Sequence, residues 1–187
     1  MGSIFALVLF CLASAAQQER TGKELVATKV IAKTGSHEEH RDLHATLERL
    51  FEEPPVKATG LEGSYAKWLE EDVAYIISTR EAKRFLELRS DEEREQFILQ
   101  FWHRRDPTPG TEANEDKEEH YRRIAFANQR FQKANLQGWQ TDRGRLYIAL
   151  GPPDEMEARA GRPQKWVYKN LGGTEDSLEV QFDITAK

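Results

Sequence analysis

Apolar positions in the second half of the chain follow two spacings in turn, first helical and then alternating. Trp68, Leu69, Val73, Tyr75, Ile76 and Ile77 make a dense apolar stretch that gives way at Ser78. Ser78 and Glu81 have the spacing of a capping box, which predicts a helix to about Leu88 with Ala82, Phe85 and Leu86 inward. Ser90 and Glu93 repeat the device, and the helix they start carries the i, i+4 pairs Phe97–Phe101 and Ile98–Trp102. Asp106-Pro107-Thr108-Pro109-Gly110 stops it. A polar helix is then predicted from about Glu112 to Lys133, with Tyr121, Ile124, Asn128 and Phe131 on its inward stripe, and Gly138 lets the chain turn. Beyond Gly138, Leu146, Ile148 and Leu150 alternate with Arg145, Tyr147 and Ala149, predicting a strand that ends at Gly151-Pro152-Pro153. Residues 165–168 and 178–183 are two further strand candidates, joined through Gly172-Gly173 as an antiparallel hairpin. Helices first and strands afterwards predict an α+β fold, with N-terminal helices packed on a small C-terminal antiparallel sheet of about three strands.

The first half reads differently. Ile4 to Leu12 is an unbroken apolar run followed by Ala13-Ser14-Ala15, a small-x-small triplet suited to signal peptidase, although no Lys or Arg precedes it. A run this short does not span a bilayer, which takes about 20 residues. Residues 1–15 are therefore expected to be a signal peptide, and the protein to be exported, periplasmic or extracellular and envelope-associated. Cys11, the single cysteine, lies within the run, and bulky Phe10 before it does not suit lipid attachment. Cleavage after Ala15 leaves no thiol for a disulfide, a metal or nucleophilic chemistry. Residues 16–60 read as a mobile extension bearing one amphipathic helix (Leu43, Leu47, Leu50, Phe51) that ends at Pro54-Pro55. On that reading a chain starting near Gly63 melts at the same midpoint as the mature one, and residues 65–187 form the domain.

The formal net charge of −5 resides outside the leader, and mild acidity argues against nucleic acid as a partner. A protein partner in the cell envelope is the expectation, with no transmembrane segment after cleavage.

Gly138-Trp139-Gln140-Thr141-Asp142-Arg143-Gly144, running on to Gly151-Pro152-Pro153-Asp154-Glu155, resembles the signature of the GWxTD domain. The upstream block Gln96–Thr111, with Phe101-Trp102-His103-Arg104-Arg105-Asp106-Pro107-Thr108 at its centre, resembles the same family, as do Tyr121-Arg122-Arg123-Ile124 and Ala127-Asn128. The resemblance covers about Tyr65 to Lys187. It implies an exported bacterial protein and brings with it no catalytic residues. The final strands are also similar in layout to small outer-membrane assembly lipoproteins, which are binding modules.

Within the signature, Asp106, Asp142, Asp154 and Glu155 offer carboxylates, and His103 a base, for hydrolytic chemistry in an envelope hydrolase or glycan-processing enzyme. Nothing in the spacing requires that chemistry, and a structural network is the favoured reading of the same residues. Arg104, Arg105 and Arg143 are spaced to hold Asp106 and Asp142 in bidentate pairs that pin helix to sheet, and Asp142-Arg143-Gly144 suits a turn. Arg104, Arg105, Asp106, Trp139, Asp142, Arg143 and Asp154 are therefore the candidate binding residues, in a groove between the sheet and the Arg104–Thr111 turn. Trp68, Trp102 and Trp166 read as core; Trp139, placed in a turn, is the tryptophan left open to a ligand. His37, His40 and His44 share a helical face but miss the His-Glu-x-x-His zinc pattern. With no phosphate loop and no Gly-x-Ser-x-Gly elbow, neither cofactor nor metal is expected, and a non-enzymatic interaction or scaffold module is the favoured reading.

Overall fold

The computed structural model describes residues 8–10, 27–33, 50–51, 56–133, 135–158, 164–171 and 177–182. Strands β1 (Val8–Phe10) and β2 (Ala27–Lys33) come first. Helix α1 (Gly63–Lys67) widens into a π-turn over Trp68–Asp72, closed by the Val73 N–H donating to the Trp68 carbonyl at 3.0 Å. Helices α2 (Thr79–Glu87), α3 (Asp91–His103) and α4 (Glu115–Phe131) follow. A 3-10 turn at Gly138–Gln140 leads into α5 (Asp142–Leu150), and then come β3 (Glu155–Glu157), β4 (Gln164–Tyr168) and β5 (Ser177–Phe182).

The capping boxes form as the sequence predicts. Ser78 Oγ accepts from the Glu81 N–H and Ser90 Oγ from the Glu93 N–H, while each glutamate bonds back to the N–H of its serine. Helix α4 is capped by Asn114, whose amide oxygen accepts from the Lys117 N–H at 2.8 Å.

The fold is α+β, with a C-terminal antiparallel unit β3-β4-β5 whose inner face alternates cleanly. Trp166 opposes Val180 and Tyr168 opposes Leu178, all buried. The exposed edge strand β3 carries Glu155 and Glu157, charges of the kind that discourage edge-to-edge pairing.

Residues 145–150 are a correction. They lie in α5, a helix, and β3 supplies the third C-terminal strand instead. Thr141 Oγ1 caps α5 by accepting from the Gly144 N–H at 3.1 Å, and Gly151, at φ +85°, ends it. Alternation misleads here because the helix has apolar neighbours on several sides. Leu146 and Ile148 are buried in the core, and Tyr147, Ala149 and Leu150 pack against it.

The stretch read as a mobile extension also contributes to the domain. β2 pairs antiparallel with β5 from Lys33↔Ser177 to Ala27↔Phe182, giving the sheet order β1-β2-β5-β4-β3. Val8–Phe10, inside the run read as a leader, pairs with β2. Leu50 and Phe51 are helical, and Leu50, 1% exposed, belongs to the core over the sheet. Burial of that side chain and ladder bonding of β2 fix chain that the sequence shows only as sparse in apolar residues. Leu43, Leu47, the three histidines His37, His40 and His44, and the Gly172-Gly173 turn lie outside the described residues.

Two apolar clusters form the interior. One lies over the sheet, where Trp166, Tyr168, Leu178, Val180 and Phe182 meet Phe131, Leu146 and Ile148. The other lies among the helices, where Trp68 stacks at an angle on Phe85 (4.7 Å between ring centres) and edge-on to Phe101 (5.3 Å). Helix α4 serves both, giving Ala127 and Phe131 to the first and Tyr121 to the second.

Candidate functional site

The two arginines that end α3 turn back to α2. Arg105 donates from Nη1 to Glu81 Oε1 (3.1 Å) and from Nη2 to Glu81 Oε2 (2.9 Å), and its guanidinium lies 3.7 Å from the centre of the Phe101 ring. Arg104 Nη2 reaches the same carboxylate at 3.2 Å. The acid that answers these arginines is Glu81. Asp106, the neighbour proposed for that part, instead accepts from the Thr108 N–H at 3.0 Å and shapes the turn. Burial alone pushes the Glu81 carboxyl up; hydrogen bonds from Arg105 and from Ser78 outweigh it and bring the pKa down to about 2.

The other candidates are also engaged in the fold. Trp139 is buried: its N–H bonds Asn128 Oδ1 (3.0 Å), its indole N–H bonds Gln137 Oε1 (3.1 Å), and its carbonyl accepts from the Tyr75 hydroxyl (3.0 Å). It is a core residue, not a ligand platform. Asp142 opens α5 and is 8% exposed, a position where a carboxylate meets the positive end of the helix dipole. Arg143 lies over the Phe131 ring and donates to Gln164 Oε1 at 3.1 Å, and burial lowers its pKa. Asp154 accepts from the Lys169 N–H at 2.6 Å, tying the β3 turn to the end of β4.

A cavity of about 370 Å³ opens where α3, α4 and α5 approach one another, walled by Trp102, Arg105, Asp116, His120, Arg123 and Ile148. His120 is 6% exposed. Its Nε2–H donates to the Asp72 carbonyl at 2.5 Å, which fixes the tautomer and leaves a lone pair on Nδ1. Burial first, and then the charges of Arg123 and Arg105, lower its pKa against the opposing pull of Asp72, so the ring is neutral at pH 7. Arg123 donates from Nε to Glu119 Oε1 (2.9 Å), and its Nη1 lies 3.5 Å from the Ile148 carbonyl. Tyr121, the next residue along α4, has its hydroxyl pushed up to about 12 by burial and by the charge of Asp72. Among the described residues no three acidic, histidine or cysteine side chains group to hold a metal ion, and no helix is long and apolar enough to cross a membrane.

Trp102, Arg105, Arg123 and Ile148 come from the stretches that carry the sequence resemblance, and comparison with protein families matches residues 63–187 to the GWxTD domain. The chain belongs to the GWxTD family. No curated relative and no solved structure matches it. In this GWxTD domain the signature glycines serve close packing. A Cβ on Gly138 would stand 1.8 Å from the Ala127 carbonyl oxygen, and one on Gly144 would stand 1.8 Å from the Gly138 carbonyl oxygen. The signature thus seats the 3-10 turn on α4 and α5 on the turn. Sequence reasoning passed over Glu81 as the arginines' partner and over His120 altogether. The only local hint for His120 is its place one residue before Tyr121 on the apolar stripe of α4.

Proposed function

We propose that the GWxTD domain is a non-enzymatic, exported interaction or scaffold module that binds a protein partner in the cell envelope. One observation carries the reading: Arg104, Arg105, Asp106, Arg143 and Asp154 all make bonds within the fold, so the charged signature residues act as struts. A hydrolase using Asp142 and Asp154 loses support on the same ground, since Asp154 holds the Lys169 N–H and Asp142 sits buried at a helix start. A groove of about 870 Å³ between α2 and α3, where Leu88 and Phe97 lie among side chains of both charges (Arg80, Arg84, Arg104, Glu92, Glu93), is a candidate place for the partner. Export is supported by the Ile4–Leu12 run and the Ala13-Ser14-Ala15 triplet. Cleavage there would remove β1 and leave β2 as the edge of the sheet.

The test is a photo-crosslinking amino acid at Gln100, in that groove, in the protein expressed in its native host. A discrete crosslinked envelope protein, lost when Phe97→Glu is added, is the expected result. Hydrolysis of envelope glycan or peptide by the purified protein, abolished by Asp154→Asn, would overturn the reading. N-terminal sequencing should begin at or near Ala16.

A further inference from the structure

The two ends of the sheet differ. β3 closes one end with three exposed residues, two of them glutamates. The other end is β2, seven residues long. Among the described strands only β1 pairs with its far side, at Val8↔Ala32, Leu9↔Ile31 and Phe10↔Val30. β1 lies upstream of Ala15, so loss of the leader removes it and leaves that side of β2 without a ladder partner among the described strands. The N–H and C=O groups along such an edge are matched by an extended polypeptide, which offers donors and acceptors in the same alternation.

The register gives each position of β2 a face. Val30 and Ala32 stand opposite the buried Val180 and Leu178, on the side of the core. Lys29, Ile31 and Lys33 stand opposite Gln181, Glu179 and Ser177, on the partly exposed outer side. β1 shows what the edge takes on its core side, where Phe10 and Val8 hold the places opposite Val30 and Ala32. A second copy of β2 is a poor occupant. Antiparallel pairing of two copies about Val30 or Ile31 sets the lysines of one strand opposite or diagonal to those of the other, and like charges so placed repel. The same lysines favour a strand that carries carboxylates opposite them. Glu179, the acid that lies between them by register, is already bonded to Lys165 at 2.9 Å.

We propose, on the reading that residues 1–15 are removed on export, that the β2 edge binds an extended strand of a protein partner in antiparallel register. Its pattern is acid–apolar–any–apolar–acid, with the acids opposite Lys33 and Lys29 and the apolar side chains opposite Ala32 and Val30. This edge is separate from the α2–α3 groove and binds whether or not that groove is occupied.

The test uses the protein purified from the envelope of its native host, with its first residue read by N-terminal sequencing. The probe is the peptide Glu-Val-Leu-Phe-Glu between Gly-Ser flanks. Lys-Val-Leu-Phe-Lys is the charge control, and Val-Glu-Leu-Glu-Phe, which turns the acids to the core side, is the register control. A protein that begins near Ala16 should bind the probe about tenfold more tightly than either control, since two cross-strand ion pairs change to repulsions or are lost. Hydrogen exchange should slow within residues 29–33 on binding. Lys29→Glu combined with Lys33→Glu should reverse the preference between the probe and the charge control; if that variant does not fold, the three peptides and the exchange map on wild type decide. A protein that begins at Met1 keeps β1 on the edge, which overturns the export reading and this proposal together. A protein that begins near Ala16 but does not bind the probe at millimolar peptide, shows no preference for it over the controls, or is protected elsewhere overturns the edge proposal alone.

Discussion

Arg105 lays both arms of its guanidinium on the carboxylate of Glu81, the same carboxylate that closes the capping box on Ser78. One side chain therefore both starts α2 and fastens the end of α3 to it. Neutralising it removes charge from three bonds while leaving Arg105 partly buried, so Glu81→Gln should cost about 1–3 kcal/mol in urea unfolding at pH 7. The pH dependence carries the same mark. The folded pKa of about 2 lies below the ordinary value of 4.5, so this contribution is present above pH 4.5 and lost as pH falls toward 2. The gap between wild type and Glu81→Gln should narrow across that window; a constant gap would show that the pairing is not electrostatic.

Gly138 lies against the backbone of Ala127 with no room for a methyl group, and backbone atoms give way less easily than a flexible side-chain tip. Gly138→Ala should destabilise by at least the 1–3 kcal/mol typical of overpacking. Gly110→Ala, with open space around it, is the control and should melt as wild type.

Asp142 and Asp106 should respond differently to loss of their charge. Asp142→Asn removes a negative charge from the buried start of α5 and should lower stability by about 0.5–2 kcal/mol. Asp106→Asn keeps an oxygen for the Thr108 N–H and should change the melting temperature by less than about 2 °C. Equal losses in the two variants would mean that Asp106 carries a burden beyond its turn.

His120 should leave a signature in the neutral range. Its folded pKa lies below 6.5, so below that pH the unfolded chain takes up a proton that the folded ring refuses. Its contribution is whole above pH 6.5 and declines as pH falls. Unfolding free energies of wild type and His120→Gln, measured from pH 7.5 to 5, should converge on the acid side. Parallel curves would mean that the ring protonates freely in the folded state.

Removing residues 1–62 should lower the melting temperature, against the expectation drawn from the sequence. The cut deletes β2 from its ladder with β5 and takes Leu50 out of the core. Loss of a buried leucine alone costs about 2–5 kcal/mol, which is a drop of several degrees at this size. A chain starting at Gly63 that melts at the wild-type midpoint would show that the N-terminal segment contributes nothing to stability.

What the sequence determined by itself is what neighbours along the chain decide. Ser78 with Glu81 and Ser90 with Glu93 set helix starts through bonds three residues long, and the β4 and β5 alternation needed only an inner and an outer face. The start and stop of α5 were legible in the same way, in Thr141-Asp142 and in Gly151-Pro152, but the alternation of Arg145–Leu150 was the louder pattern. Period identifies an element only when one face is wet, and α5 is surrounded by apolar contacts on several sides. The arginines at 104 and 105 announced a carboxylate partner without saying which, because any acid within reach satisfies a guanidinium. Only the docking of α3 on α2 selected Glu81, 24 positions away from Arg105 and outside the blocks that carry the resemblance. Arg123 lies in one of the blocks that carry the resemblance, but nothing in the sequence marks His120 just before it. They line one cavity because Trp102 and Arg105 at the end of α3 and Ile148 of α5 pack beside them, and that three-helix arrangement is set by tertiary packing alone.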